Sequence, residues 1–375
     1  MIKINKKLFR YFDWSIFFSM IAICFLGITT IMFANNALET GNFRNTIAQF
    51  IILLVALVAF VFVITIDYTT IGSYYKIIYV VTNLLIIAVL LFGREVNGAK
   101  AWLGIGPFGG QPSEFVKLSI IIGLSKILED VDDVNKFEVL KRVAIFVLIP
   151  MGLIQLQPDL GTNMIIAVIV LGILFVAGLD LKFIYIPAAI LAILVPIAWN
   201  LNIIKTYQKH RILVFLNPEL DRLGAGYNAS MAKLAIASGR FFPKSSFADI
   251  IRGNTQLSSG KFIPEAHTDF IFAVFAENWG FLGSVILLIL YLNILYKAIK
   301  ISKVAKDKFG QYLVIGIVTM IGFQIFQNIG MDIGLMPITG IPLPFMSYGG
   351  TSLLTNVIAI GLILNVSMRR KKINF

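Results

Sequence analysis

Apolar runs long enough to cross a bilayer punctuate this chain, and they limit the folds open to it more than any other feature. At ~1.5 Å of rise per residue against ~30 Å of hydrocarbon, a spanning helix needs about 20 mostly apolar residues. Such runs are read at 14–34, 46–66, 74–92, 114–128, 142–157, 161–179, 183–199, 271–296, 311–330 and 351–368, the fourth and fifth being short. Hydrophobic residues make up 58% of the sequence and charged residues 14%, too few to give every helix a polar face toward water. The expectation is an all-α polytopic integral membrane protein of about ten transmembrane helices. The first run is longer than a signal h-region and lacks a small-residue cleavage site, so it reads as a retained span.

Charge sets the orientation. The net charge is +12, and Lys and Arg cluster at Lys3–Arg10, Lys297–Lys308 and Arg369–Lys372. Clusters of this kind mark cytoplasmic ends and loops, and an even number of spans puts both termini there. Residues 1–375 then form one membrane domain, with 200–268 as a large extracytoplasmic loop between the seventh and eighth spans. That loop carries nine Lys or Arg against four acids. Contact with lipid headgroups explains such charge, and so does an anionic substrate. Within it, residues 224–238 are small and apolar and read as an amphipathic or re-entrant helix at the outer interface. No basic domain stands free of the membrane, which argues against nucleic-acid binding. One cysteine, Cys24, excludes a disulfide framework, and two histidines leave little for a serine-centred triad.

Several polar groups interrupt the apolar pattern. Glu265, His267 and Asp269 stand just ahead of the eighth run, where water gives way to hydrocarbon. An acid there suits chemistry on a lipid-linked substrate, and Thr268 and Asp269 equally suit a helix cap. Ser113 is placed to cap the fourth span, with Glu114 in its first turn and Lys117 three residues on, sharing a face. In hydrocarbon that pair is either a structural ion pair or part of a polar cavity. Asp159 lies in a Pro-Asp-Leu-Gly turn whose local chemistry would account for it. Glu277, the seventh residue of its run, needs a partner or a cavity. Residues 330–352 hold three prolines and five glycines in an apolar setting. Broken backbone at membrane depth is buried in protein or lines a cavity. This segment therefore walls a pocket, with Ser347, Tyr348 and Thr351 as hydrogen-bond donors, or forms a rigid hairpin.

Gln111–Lys117, Asn217-Pro218 with Leu223–Asn228, Phe262–Glu277 and Pro337–Ser352 together resemble the SEDS family (shape, elongation, division and sporulation). The Ile341-Pro-Leu-Pro-Phe345 loop and the Phe12-Asp-Trp14 entry are more similar to its RodA branch than to its FtsW branch. The resemblance covers nearly the whole chain. It implies a peptidoglycan glycosyltransferase of the bacterial cytoplasmic membrane that polymerises lipid II on the outer face during cell elongation. The implied partners are a class B penicillin-binding protein, lipid II with the nascent glycan, and other membrane proteins of cell elongation. The family's essential aspartate corresponds to Asp269, its acid and lysine near the fourth span to Glu114 and Lys117, and its outer-turn acid to Asp159. The arginine before the Phe-Leu-Asn-Pro stretch corresponds to Arg211, a phosphate-side contact. Asp221-Arg-Leu-Gly224 departs from the family in having arginine where proline is common.

A sugar α-linked to undecaprenyl pyrophosphate and a β-1,4 product imply inversion, hence single displacement with one general base, Asp269. Glu265 and His267 would support it. Arg211, Lys117 or a divalent cation such as Mg or Mn would steady the leaving pyrophosphate. Two other readings stay open: a flippase or secondary transporter of lipid-linked precursor using Glu114, Lys117 and Glu277, and a non-enzymatic scaffold of the elongation complex.

Overall fold

The computed structural model describes residues 8–35, 41–96, 99–104, 109–200, 209, 213–221, 224–242 and 263–370. In chain order come α1 (Trp14–Ala34), α2 (Arg44–Thr65), a short α3 (Tyr68–Ser73) and α4 (Tyr75–Phe92). A two-stranded antiparallel hairpin follows, β1 (Arg94–Val96) and β2 (Ala99–Trp102), with Arg94 opposite Trp102. The chain continues through α5 (Ser113–Leu128), α6 (Phe137–Gln155), α7 (Leu160–Val176), α8 (Lys182–Asn200), α9 (Ala225–Ser238), α10 (Ile271–Lys303), α11 (Lys308–Ile333) and α12 (Gly350–Met368). The protein is thus largely helical. Among the described residues six helices, α1, α2, α4, α10, α11 and α12, are long and apolar enough to cross a membrane.

Each apolar run of the sequence coincides with a helix, and the differences lie at the ends. α6 begins at Phe137, where Glu138 in the first turn suits the helix N-terminus. α10 and α11 run on past their apolar stretches to Lys303 and from Lys308, because basic residues extend a helix into the headgroup region as readily as into water. Ser113 does not cap α5: the cap position falls on Pro112, and the Ser113 hydroxyl is buried without a protein partner.

Apolar side chains line the perimeter as well as the core. Leu54, Val58 and Phe62 on α2, Leu84 and Leu91 on α4, and Ile289 and Leu292 on α10 are all exposed, which suits a hydrocarbon solvent. α5, α11 and α12 are the interior helices, buried along most of their length. α12 packs along α2, α1 along α10, and α11 against α5, α7 and α10. α9 docks on this bundle, its Ala232 and Ala235 fully buried among Ile263, Ala266, Phe270 and Val274. Small residues let its backbone come close, so it packs on protein through that face.

α10 is broken once. Gly280 takes φ +67° and ψ −169°, and the two amides after it are met from the residues that follow α9: Phe281 N donates to the Arg240 carbonyl at 2.9 Å and Leu282 N to that of Phe241 at 3.1 Å. The Phe241 and Phe281 rings stack at 5.5 Å across the junction.

Candidate active site

The segment between α11 and α12 has no regular backbone pairing, so side chains hold it. Gln49 of α2 donates from Nε2 to the Ser347 carbonyl (3.1 Å) and accepts from Gly349 N (3.3 Å). Tyr291 OH donates to the Pro344 carbonyl at 2.6 Å. Gln327 Nε2 reaches the Pro337 carbonyl and Thr339 Oγ1, and Asn328 Nδ2 donates to the carbonyls of Ile341 (2.9 Å) and Asp269 (2.8 Å). Irregular backbone inside a membrane protein persists only with such satisfaction.

This segment and the one ahead of α10 are tied together. The Ser347 hydroxyl gives its proton to the Thr268 carbonyl at 2.6 Å and accepts from Leu343 N at 2.8 Å, while Tyr348 N donates to the His267 carbonyl at 2.9 Å. Ser347 is buried, so its one proton is spent on fastening the two segments. Glu265 and Phe345 hold left-handed backbone at φ +57° and +64°. Non-glycine residues in that region carry strain of about 1–3 kcal/mol each and persist where surroundings overdetermine them.

Between these segments, the β2–α5 connection and the start of α7 lies a cavity of about 440 Å³, of the size that takes small molecules. Asp269, Glu265, His267, Asp159, Glu114 and Tyr348 line it. Four stretches distant in sequence therefore supply one site. Asp269 is half-buried, and its backbone amide donates to the Glu265 carbonyl at 3.1 Å. The N-cap position of α10 falls on Phe270, which has no side chain able to cap. The first-turn amide of Ala273 is shared between the Phe270 carbonyl at 3.1 Å and Asp332 Oδ2 of α11 at 3.0 Å.

Asp159 lies at the start of α7 and in the cavity wall. Its carboxylate caps α7, accepting from Thr162 N (2.9 Å) and Thr162 Oγ1 (2.7 Å), and also accepts from Gln111 Nε2 at 2.8 Å, inside the cavity wall. Gln111 N in turn donates to Thr351 Oγ1 at 3.1 Å. Below the cavity Lys117 Nζ pairs with Glu114 Oε1 at 2.7 Å, with Lys117 fully buried. Glu114 faces the cavity, and its Oε2 has no protein partner. A buried pair gains little over apolar residues but costs about 3–5 kcal/mol when one partner is removed.

Burial pushes the His267 imidazole below its ordinary pKa, with the nearby Glu265 charge opposing the shift. Burial pushes the Tyr348 phenol up, against a smaller effect of Arg44, so it is a protonated donor at the cavity rim. The rings of His267 and Tyr348 lie 5.5 Å apart. Arg211 lies outside the described residues. Among the described residues no three His, Cys, Asp or Glu side chains converge to hold a metal ion, and Asp159 and Glu114 are each engaged already. Among the described residues the donor set does not suit a divalent cation.

Gln49, Gln111, Gln327, Asn328 and Asp332 carry much of this geometry without having stood out as candidates. A signal existed for two of them: Gln324, Asn328 and Asp332 recur every four residues in an apolar helix, marking one polar stripe.

The sequence model of the FtsW, RodA and SpoVE family, described as cell cycle protein, matches residues 10–372. Peptidoglycan glycosyltransferase MrdB of Escherichia coli K12 is 34% identical over 297 residues, 79% of this chain and 78% of its own. Stage V sporulation protein E of Bacillus subtilis is 36% identical over 320 residues, 84% of each chain. Among solved structures, a chain from a peptidoglycan synthase complex that coordinates polymerization and crosslinking superimposes with TM-score 0.83 and 31% identity, over 96% of this chain and 99% of that one. The rod shape determining protein RodA of Thermus thermophilus does so with TM-score 0.70 and 28% identity, over 96% and 98%.

Proposed function

This chain belongs to the FtsW, RodA and SpoVE family, and from that membership and the cavity we infer that it is a peptidoglycan glycosyltransferase. It is a multi-pass membrane protein that polymerises lipid II into β-1,4 glycan. The ten long helices are read as ten spans of a single domain over 1–375, with both termini cytoplasmic and residues 200–268 as the extracytoplasmic loop. The basic clusters at both ends support that orientation. A class B penicillin-binding protein is the partner, in keeping with the coupled polymerization and crosslinking of the matched complex.

The observation that carries the mechanism is the placement of Asp269 in one cavity with Glu114, Asp159, Glu265 and His267. Asp269 is the general base. The acceptor 4-hydroxyl attacks C1 of the donor sugar, the C1–O bond to the pyrophosphate breaks, and the hydroxyl proton passes to Asp269. The configuration at C1 inverts, and undecaprenyl pyrophosphate leaves with the bonding electrons. Pyrophosphate is a good leaving group, so no acid on that side is needed. Glu265 and His267 flank the base, and Tyr348 offers its phenol proton to the sugar. Asp159 and the Glu114–Lys117 pair shape the opposite wall, and Arg211 serves the phosphates.

The test is polymerisation of labelled lipid II by the purified protein with its class B partner, comparing wild type with Asp269→Asn. Glycan from the wild type and none from a folded Asp269→Asn protein is the expected result. Equal polymer from both removes Asp269 from the chemistry. Polymer from neither, with the partner present, favours a flippase.

A further inference from the structure

α10, the helix that begins immediately after the base, receives a side-chain acceptor for its first turn from another helix. Its N-cap Phe270 makes no side-chain bond, and its first turn contains no acid. Asp332 Oδ2, from the last turn of α11, accepts the Ala273 amide at 3.0 Å and so meets the positive end of α10. One turn earlier on the same face of α11, Asn328 Nδ2 donates to the Asp269 carbonyl. Two side chains four residues apart thus grip the backbone at the base's own carbonyl and one turn after it, at the amide of 273.

Asp332 is fully buried, and its second carboxyl oxygen is without a partner. A carboxyl group in that setting is costly for a fold to keep, so its one bond has to matter. It does not line the cavity, yet its bond to the Ala273 amide falls one helical turn from Asp269, whose carbonyl Asn328 holds. Resting on the reading of Asp269 as the base, we propose that Asp332 is a positioning residue for glycosyl transfer. It touches no substrate. It fixes the first turn of α10, and through that turn the direction in which Asp269 enters the cavity. Transfer rates fall steeply when a reacting group is misplaced, by about 100-fold for roughly 1 Å.

Threonine and valine are isosteric and differ only in the hydroxyl that could accept the Ala273 amide. The test therefore compares Asp332→Thr with Asp332→Val in the lipid II assay, both purified with the partner and checked by thermal unfolding at the assay temperature. Asp332→Thr is expected to keep kcat within about threefold of wild type. Asp332→Val is expected to lose at least about tenfold in kcat with KM for lipid II unchanged. Asp332→Asn, which keeps an acceptor, should follow the threonine variant. Equal kcat in the threonine and valine variants overturns the proposal, as does a loss in Asp332→Val that lies in KM. Asp269→Asn runs alongside. If it stays active, the base assignment itself falls; if it is dead while Asp332→Val matches wild type, only the positioning role falls.

Discussion

His267 illustrates how much a single side chain can report about this site. It sits half-buried between Glu265 and the Tyr348 ring, where burial favours the neutral imidazole. Its folded-state pKa is therefore below the unfolded value of about 6.5. The folded protein binds fewer protons than the unfolded chain in that range, so stability is complete above about pH 6.5 and is lost as pH falls through the lower folded value. Thermal unfolding in detergent at about pH 7.5 and about pH 5 should show a drop for wild type and a smaller drop for His267→Gln. Equal drops would mean that His267 titrates in the fold as it does in the unfolded chain. At this scale the sequence was informative about charged residues and poor for amides. Glu114, Lys117, Asp159 and Asp269 stood out because ionisable groups are rare at membrane depth. Gln49 and Asn328 did not, because an amide in an apolar helix reveals nothing of its partner until the backbone it satisfies is known.

Among the elements, α10 departs furthest from what its sequence suggests. Its apolar run reads as one continuous span, yet Gly280 breaks it and the break is filled by carbonyls of Arg240 and Phe241. No local pattern could show this, since the acceptors lie some forty residues away, beyond any helical or strand periodicity. An added methyl at Gly280 would stand 2.9 Å from the Gly239 carbonyl oxygen and from Phe242 backbone, in a conformation that L side chains rarely adopt. Gly280→Ala should therefore lower stability by about 1–3 kcal/mol, read as a fall in Tm in detergent. An unchanged Tm would show that the junction gives way easily. The helices themselves were legible because a 3.6-residue period is not needed when a whole run is apolar; length alone identifies them. The β1–β2 hairpin was not, because three or four residues of alternation are too few to distinguish from a loop.

For the molecule as a whole, the two ends of the bundle are built differently. One end surrounds the cavity, whereas the opposite end is a closed latch. Asn365 Nδ2 of α12 donates to the carbonyls of Val63 and Ile66 at 2.6 Å each, and its Oδ1 accepts from Tyr68 N and Arg369 Nη1. Arg369 pairs with Asp67 at 3.1 Å, and Tyr68 OH donates to Asp307, which caps α11 through Gly310 N. Burial and the Asp307 carboxylate push the Tyr68 phenol far up, so it stays a donor at any physiological pH. Asn365→Leu strands several of these groups and should cost on the order of 3 kcal/mol in stability while leaving KM for lipid II unchanged. A rise in KM would mean that the latch reaches the cavity.

The filled break in α10 also bears on biogenesis. Ribosomes deliver Arg240 and Phe241 before Phe281 and Leu282, so the acceptors are made before the amides they serve. Two peptide amides that would otherwise enter lipid bare find their carbonyls waiting. The break in this helix is thus satisfied only once the segment translated ahead of it has folded against it.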